Sequence, residues 1–279
     1  MRIRVAHETT YRYERPAKSV IQTLRLTPRS HDGQHVARWR IDIDQDVRLT
    51  VAEDAFGNIT HAFTAAGNIE TMHVRVEGEV ETHDNAGVLH GVIERFPVSL
   101  YLRDTDLTTA NEPIRAFTQK VAGKEDSALA ASHALMEAIH DCVELNLDRK
   151  QPATPIAEAF TQRSGVSQDL THLFIACART LKIPARYVSG LIYQPDSHDG
   201  SASHTWAETY AEGLGWVAFD PVLKICPTVN HIRVAAGLDY LSAAPVRGAH
   251  YGGEGESLEE RFDISEKTAR QQAQGQSQS

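Results

Sequence analysis

Three residues in the second half of the chain have the types and the spacing of an acyl-transfer site. Ser167 lies in SGVSQDLTHLFIACARTLKIPARYVSG, and His204 and Asp220 lie in SHTWAETYAEGLGWVAFDPV. A hydroxyl nucleophile needs a base to take its proton, and the base needs a third group to fix its tautomer and orientation. His204 opens one strand-like stretch and Asp220 closes the next, with AEGLG between them as a turn. Neighbouring strands of such a hairpin bring the two together, so that Asp220 orients the imidazole. A lone histidine is usually structural and this chain has 14; His204 gains weight from its company.

Ser167 gains its weight from a helix. Leu170, Leu173, Phe174, Cys177 and Leu181 recur at helical spacing, Lys182 falls in the last turn and Pro184 stops the run. The helix therefore starts near residue 167, with Ser167 at or beside its N-cap. Unpaired N–H groups and the positive end of the dipole gather at a helix N-terminus. They lower a thiol's pKa and stabilise an oxyanion. Serine is also a preferred N-cap in its own right, and this segment alone favours that plainer reading.

Other candidates carry less. Asp169 and His172 are one helical turn apart, which suits a shared hydrogen bond better than a metal lacking a third ligand. Gln168 and Asp169 are candidates to line the cleft, and Trp206 and Trp216 read equally as cleft walls or core. YGGEGESLEE lacks the Lys-Ser/Thr of a phosphate loop and a preceding strand. Cys142, Cys177 and Cys226 are odd in number, widely spaced and without a CxxC pair, as small buried hydrophobes of a reducing compartment are.

The elements that must hold these residues follow from periodicity. RIRVAHETTYRYE, ARWRIDIDQDVRLTVAED and MHVRVEGEVETH alternate as strands, and Gly57-Asn58 suggests a hairpin turn. Residues 1–104 thus read as an antiparallel β module. SALAASHALMEAIHDCVELNL follows with Leu129, His133, Met136, Ile139, His140 and Val143 near one helical face. TPIAEAFTQRSG supplies a shorter helix, and strands return after 185. Residues 105–250 therefore form an α+β catalytic-type domain, and residues 251–279 a C-terminal extension ending in a polar, disordered tail.

Composition bounds the partners. Of 279 residues, 41% are apolar and 23% charged, and the net charge is −9. This balance argues against a general nucleic-acid binder. The N-terminus shows no signal-peptide core and no window has the length of a membrane span, so the expectation is a cytoplasmic protein that does not bind membranes.

The runs G-V-x-Q-D at 165–169, H-x-W-A-E at 204–208 and G-W-x-x-F-D-P at 215–221 resemble bacterial transglutaminase-like proteins of the papain-like thiol-hydrolase superfamily. HETTYRYERP, LRLTPR and EDAFGN resemble the β module that precedes the catalytic domain in many bacterial members. The resemblance covers roughly residues 1–250. It implies a central helix packed on an antiparallel sheet, with Ser167 at the nucleophile position, His204 as base and Asp220 as its orienting carboxylate. It further implies acyl transfer from the carboxamide or peptide bond of a peptide or protein substrate to water or an amine, with neither a metal nor an organic cofactor.

The family carries cysteine where this chain has Ser167. Cys177 is no substitute, because ten residues are about 15 Å along a helix. Serine is far less acidic than a thiol, and a site arranged for sulfur misplaces it, so the expectation is reduced activity on amides. Ser167 is then a natural serine nucleophile, an engineered silencing change, or the mark of a silent relative whose cleft only binds peptide. A different reading makes the β module the working surface of an assembly protein.

Overall fold

The computed structural model describes residues 1–146, 155–195 and 202–266. The chain opens on two very long strands, β1 (Arg2–Thr27) and β4 (Ile59–Thr82), paired antiparallel along nearly their whole length. Between them lie β2 (Gln34–Ile43) and β3 (Thr50–Glu53), both paired to β4. Alternation drives this layer: Ile3, Val5, Tyr11, Tyr13, Val74 and Val76 are all buried, while their neighbours Arg4, Arg12 and Arg75 are exposed. The register shifts between Arg12 and Ala17, around Pro16, which has no N–H for the ladder. Gly57 turns β3 into β4 at a φ of 81°, and Asp54 Oδ1 accepts the amides of Phe56 and Asn58 inside that turn.

The second layer follows. β5 (Val88–Leu89) is a short edge strand, and the helices are α1 (Glu112–Ala122), α2 (Ala128–Cys142), α3 (Ile156–Gln162) and α4 (Ser167–Thr180). The two-residue strands β6 (Glu144–Leu145) and β7 (Ser164–Gly165) pair in parallel beside them. Then come β8 (Ala185–Ile192), β9 (Ala202–Ala211), β10 (Gly215–Phe219) and β11 (His231–Gly237), with the short α5 (Tyr240–Ala243) after them. These strands form an antiparallel sheet in the order β11-β8-β9-β10-β5. Leu170, Leu173, Phe174 and Cys177 of α4 pack against Tyr187, Ala207 and Phe219 of the sheet. The α+β architecture, a β module followed by a central helix on an antiparallel sheet, is the one expected.

Three details differ from the expectation. In α2, His133 and His140 are exposed, and the buried face runs through Ala131, Ser132, Leu135, Met136 and Ile139. Counting histidine among the apolar positions rotates the predicted face away from the true one. The segment before residue 104 does not stay with the β module, because β5 joins β10 and Tyr101 packs edge-on to Trp216 at 5.0 Å. The C-terminal segment returns to the first layer: β12 (Val246–Gly252) and β13 (Ser257–Glu266) both pair with β1. Residues 251–266 are thus structured, and the expected tail from 267 onward lies outside the described residues. Among the described residues, no helix is long and apolar enough to cross a membrane.

Candidate active site

α4 begins one residue earlier in backbone terms than a serine cap would place it. Val166 is the N-cap residue and Ser167 is the first helical residue. Asp169 serves the helix start, its Oδ2 accepting the Val166 amide at 3.1 Å. Gly165 is needed for this, because a Cβ there would lie 2.9 Å from the Asp169 Cβ. The Ser167 hydroxyl is therefore not used as a cap. It donates to Gln168 Oε1 at 3.3 Å and lines a cavity of about 410 Å³ between the β module and the second sheet. Gln168, Ser189, Ser203, Thr205 and Tyr240 border the same space.

The hairpin forms as expected, with β9 and β10 paired from Gly215↔Ala211 to Phe219↔Ala207. It brings His204 Nε2 to 2.6 Å from Asp220 Oδ2. The carboxylate can only accept, so Nε2 carries the proton and Nδ1 is left with the lone pair. That is the tautomer of a general base. Asp220 is fully buried, and each of its oxygens has two donors. Oδ1 accepts the amides of Val222 and Leu223, at 2.9 and 3.0 Å. Oδ2 accepts from His204 and also from His231 Nε2, at 3.3 Å. Burial by itself would raise the Asp220 pKa, but the hydrogen bonds from the two histidines hold it well below the usual carboxylate range.

Residue alternation along β9 divides its two faces. Thr205 bonds Thr171 of α4, Ala207 packs in the helix-facing core and Thr209 bonds Ser132 of α2. His204, Trp206 and Glu208 take the other face. There the Trp206 ring stands edge-on to His231 at 5.3 Å. Directly across from His204, Gly190 has no room for a side chain, since a Cβ would meet the Trp206 ring at 2.4 Å. The structure thus joins His204 to Asp220. Among the described residues, no hydrogen bond joins Ser167 to His204.

The other candidates resolve as follows. Trp206 and Trp216 are both buried in one apolar cluster, away from the Ser167 cavity. His172 and Asp169 have separate partners: His172 Nε2 accepts the Tyr240 amide at 2.9 Å, and burial pushes its pKa down to about 3. Cys177 is fully buried, which pushes its thiol up to about 12, while Cys142 and Cys226 are half-buried.

Two groups escaped the sequence reading. His231 is one; nothing in HIRVAAG marks it except its place on an alternating strand. The other is Glu208, fully buried between Arg186 Nε at 2.5 Å and Arg233 Nε at 2.7 Å. Burial would raise its pKa, but the two guanidinium groups hold it at about 2. Opposite charges at 186 and 208 in otherwise apolar strands were its available signal.

His204, Asp220 and His231 place their ligand-type atoms within 4.8 Å of one another, as a metal site would. The tautomer of His231 argues otherwise. Its Nδ1 accepts the Thr228 amide at 3.1 Å, so its Nε2 holds the proton that a metal would have to replace. The cluster fits a fully hydrogen-bonded carboxylate.

Comparison with known proteins bears on the fold. Residues 3–81 match the bacterial transglutaminase-like N-terminal region, and residues 115–221 match the transglutaminase-like superfamily. An uncharacterized protein of Mycobacterium leprae is 29% identical over 270 residues, covering 90% of this chain and 94% of that one. An uncharacterized protein of Haemophilus influenzae is 24% identical over 249 residues, covering 76% of this chain and 66% of its own. The solved structure of a candidate cysteine protease from Cytophaga hutchinsonii superposes with a TM-score of 0.77 at 20% identity, covering 95% of this chain and 90% of that one. Ser167, His204 and Asp220 all fall within the second matched region, whereas β12 and β13 lie outside both. The fold is that of a transglutaminase-like, papain-like protein, with the two regions matched in sequence following one another along it.

Proposed function

We propose that this protein acts on peptide or carboxamide bonds by acyl transfer through Ser167, His204 and Asp220, at a rate reduced by serine at the nucleophile position. The observation that carries this reading is the buried His204–Asp220 pair at 2.6 Å, which leaves the imidazole Nδ1 as a base. Ser167 attacks the carbonyl carbon while Nδ1 takes its proton, and the first amides of α4 stabilise the oxyanion. The protonated imidazole then gives that proton to the leaving amine. Water or an amine resolves the ester, returning the proton to Ser167. Attack requires a rearrangement that brings His204 Nδ1 to Ser167, because His204 lies on the face of β9 away from α4 whereas the Ser167 cavity is bordered by Ser203 and Thr205 of the opposite face.

A second reading is a silent module that holds a peptide or carboxamide in the same cavity. The bond from the Ser167 hydroxyl to Gln168, rather than to His204, favours it. Intact-protein mass spectrometry after exposure to amide- and ester-activated probes separates the two, run on this chain and on Ser167→Cys. Acylation of the serine form at residue 167 supports catalysis. Labelling of the cysteine form alone identifies the serine as what silences a sound site. If neither labels, the acyl-transfer assignment falls.

A further inference from the structure

The strand that carries His231 lies at the edge of its sheet. β11 pairs with β8 on one side, and its other edge presents backbone N–H and C=O groups that need partners. The β module supplies them through two side-chain amides. Gln34 Oε1 accepts the Arg233 amide at 2.8 Å, and Gln34 Nε2 donates to the Arg233 carbonyl at 2.9 Å. Asn58 repeats the pattern on Ala236, with both bonds at 2.8 Å. Each buried amide stands in for a residue of a further strand.

The turn that leads into β11 is held from the same side. Thr82 Oγ1, also buried, donates to the Val229 carbonyl at 2.6 Å. Register brings these contacts together: Gln34 of β2 lies directly opposite Thr82 of β4, and opposed residues share one face of a sheet. The two side chains bracket His231, one holding Val229 before it and the other Arg233 after it. Inside the bracket the turn is fixed by its own bonds. The His231 amide donates to the Thr228 carbonyl at 3.0 Å, and the Thr228 amide donates to His231 Nδ1 at 3.1 Å. The second bond leaves His231 Nε2 as the donor that reaches Asp220.

We infer that Gln34 and Thr82 of the β module are positioning residues for the His204–Asp220 pair, acting through His231. The contacts are continuous: module side chains to the backbone on either side of His231, His231 Nε2 to Asp220 Oδ2, and the same oxygen to His204 Nε2. Displacing His231 therefore leaves Asp220 Oδ2 held by His204 alone, and the imidazole loses the fixed partner that sets its orientation. The β module thus bears on the chemistry without contributing Ser167, His204 or Asp220. This role rests on the reading of His204 as a base held by Asp220, and it needs no turnover at Ser167.

The test is NMR of the full chain with isotope-labelled histidine, reading solvent exchange of the imidazole N–H protons that His204 and His231 donate to Asp220. His204→Gln and His231→Gln assign the two signals. Both protons are expected to be protected in the parent. Thr82→Val, which swaps a hydroxyl for a methyl, is expected to speed the exchange of both by about tenfold or more. Thr82→Ser restores the hydroxyl and is expected to bring back the parent rates. Gln34→Met removes the other side of the bracket, is expected to give the same acceleration, and serves alone if Thr82→Val does not fold. Ser132→Ala is the structural control, because it removes a buried bond to Thr209 on the opposite face of β9. It is expected to leave both rates within about twofold of the parent. Parent-like rates in the Thr82 and Gln34 variants overturn the inference. So does equal acceleration by Ser132→Ala, which would mark the module contacts as general stability. Absence of protected imidazole protons in the parent also overturns it, by removing the link through Asp220. Neither proton belongs to Ser167, so a negative acylation result and a negative exchange result are separate findings.

Discussion

Replacing Asp220 by Asn removes one charge but, in this site, breaks two sets of hydrogen bonds. Both carboxylate oxygens accept from two N–H donors each: Val222 and Leu223 at Oδ1, His204 and His231 at Oδ2. An asparagine has one oxygen and one NH2. Whichever way it turns, the NH2 faces a pair of donors. His204 can escape by moving its proton to Nδ1, which abolishes the base. His231 cannot, because its Nδ1 is committed to the Thr228 amide. Each buried group left unsatisfied costs about 1–3 kcal/mol, so Asp220→Asn is expected to destabilise by roughly 2–6 kcal/mol. Urea unfolding measures this directly. In the Ser167→Cys background a second consequence follows. A cysteine served by this base is expected to alkylate with an apparent pKa below about 7.5, climbing toward about 8.5 once Asp220→Asn is added. An Asp220→Asn protein within about 0.5 kcal/mol of the parent, with an unchanged alkylation profile, would refute the fourfold-acceptor reasoning.

Glu208→Gln takes the shared carboxylate from half-buried Arg233 and from buried Arg186, which keeps Glu94 at 2.9 Å, and is expected to cost about 3 kcal/mol in urea unfolding. An effect below about 1 kcal/mol would show that the ion pairs do not hold this face of the sheet. His172 gives a pH dependence whose sign is fixed by its lowered pKa. The unfolded chain binds its proton near pH 6.5 and the folded protein only near 3, so its contribution is intact above 6.5 and stability is lost as pH falls from 6.5 toward 3. The slope reaches about 1.4 kcal/mol per pH unit. Unfolding midpoints across this range are expected to fall more steeply for the parent than for His172→Gln, whose amide oxygen can still accept the Tyr240 amide; parallel slopes would count against a buried neutral His172.

Much of the site was legible because its elements are written in local periods. The stripe of Leu170, Leu173, Phe174 and Cys177 marks α4, and two alternating stretches around AEGLG mark the hairpin, so the helix start near Ser167 and the pairing of His204 with Asp220 follow from spacing. The exact role of Ser167 was not legible. A serine at a helix start reads as a cap until Asp169 is seen to reach back to the Val166 amide. His231 was hidden for a different reason. Its significance is a contact with Asp220, and one histidine on a strand carries no local mark of its partner. The face of α2 is hard to read in sequence because His133 and His140 recur at helical spacing like apolar residues, whereas Leu135 and Ile139 set the phase.

The least legible feature, β13 on β1, bears directly on recognition. Ser257–Glu266 is charged and follows a glycine-rich run, so nothing in its composition announces a strand. What makes it one is the edge it meets. β1 is 26 residues long, and on the side away from β4 it would expose unpaired N–H and C=O groups along most of that length. β12 and β13 cover that edge and, through the same residues, carry Glu256 and Glu260 to the cavity where Ser167 opens. An uncovered edge invites pairing with another chain, so the pairing that protects the β module also completes the cavity wall. The helix and hairpin supply the candidate chemistry from within the matched transglutaminase-like region, while the charge of the cavity comes from a segment beyond it. Relatives that keep the helix and hairpin but vary this segment would therefore differ in the group they admit before they differ in the reaction they perform.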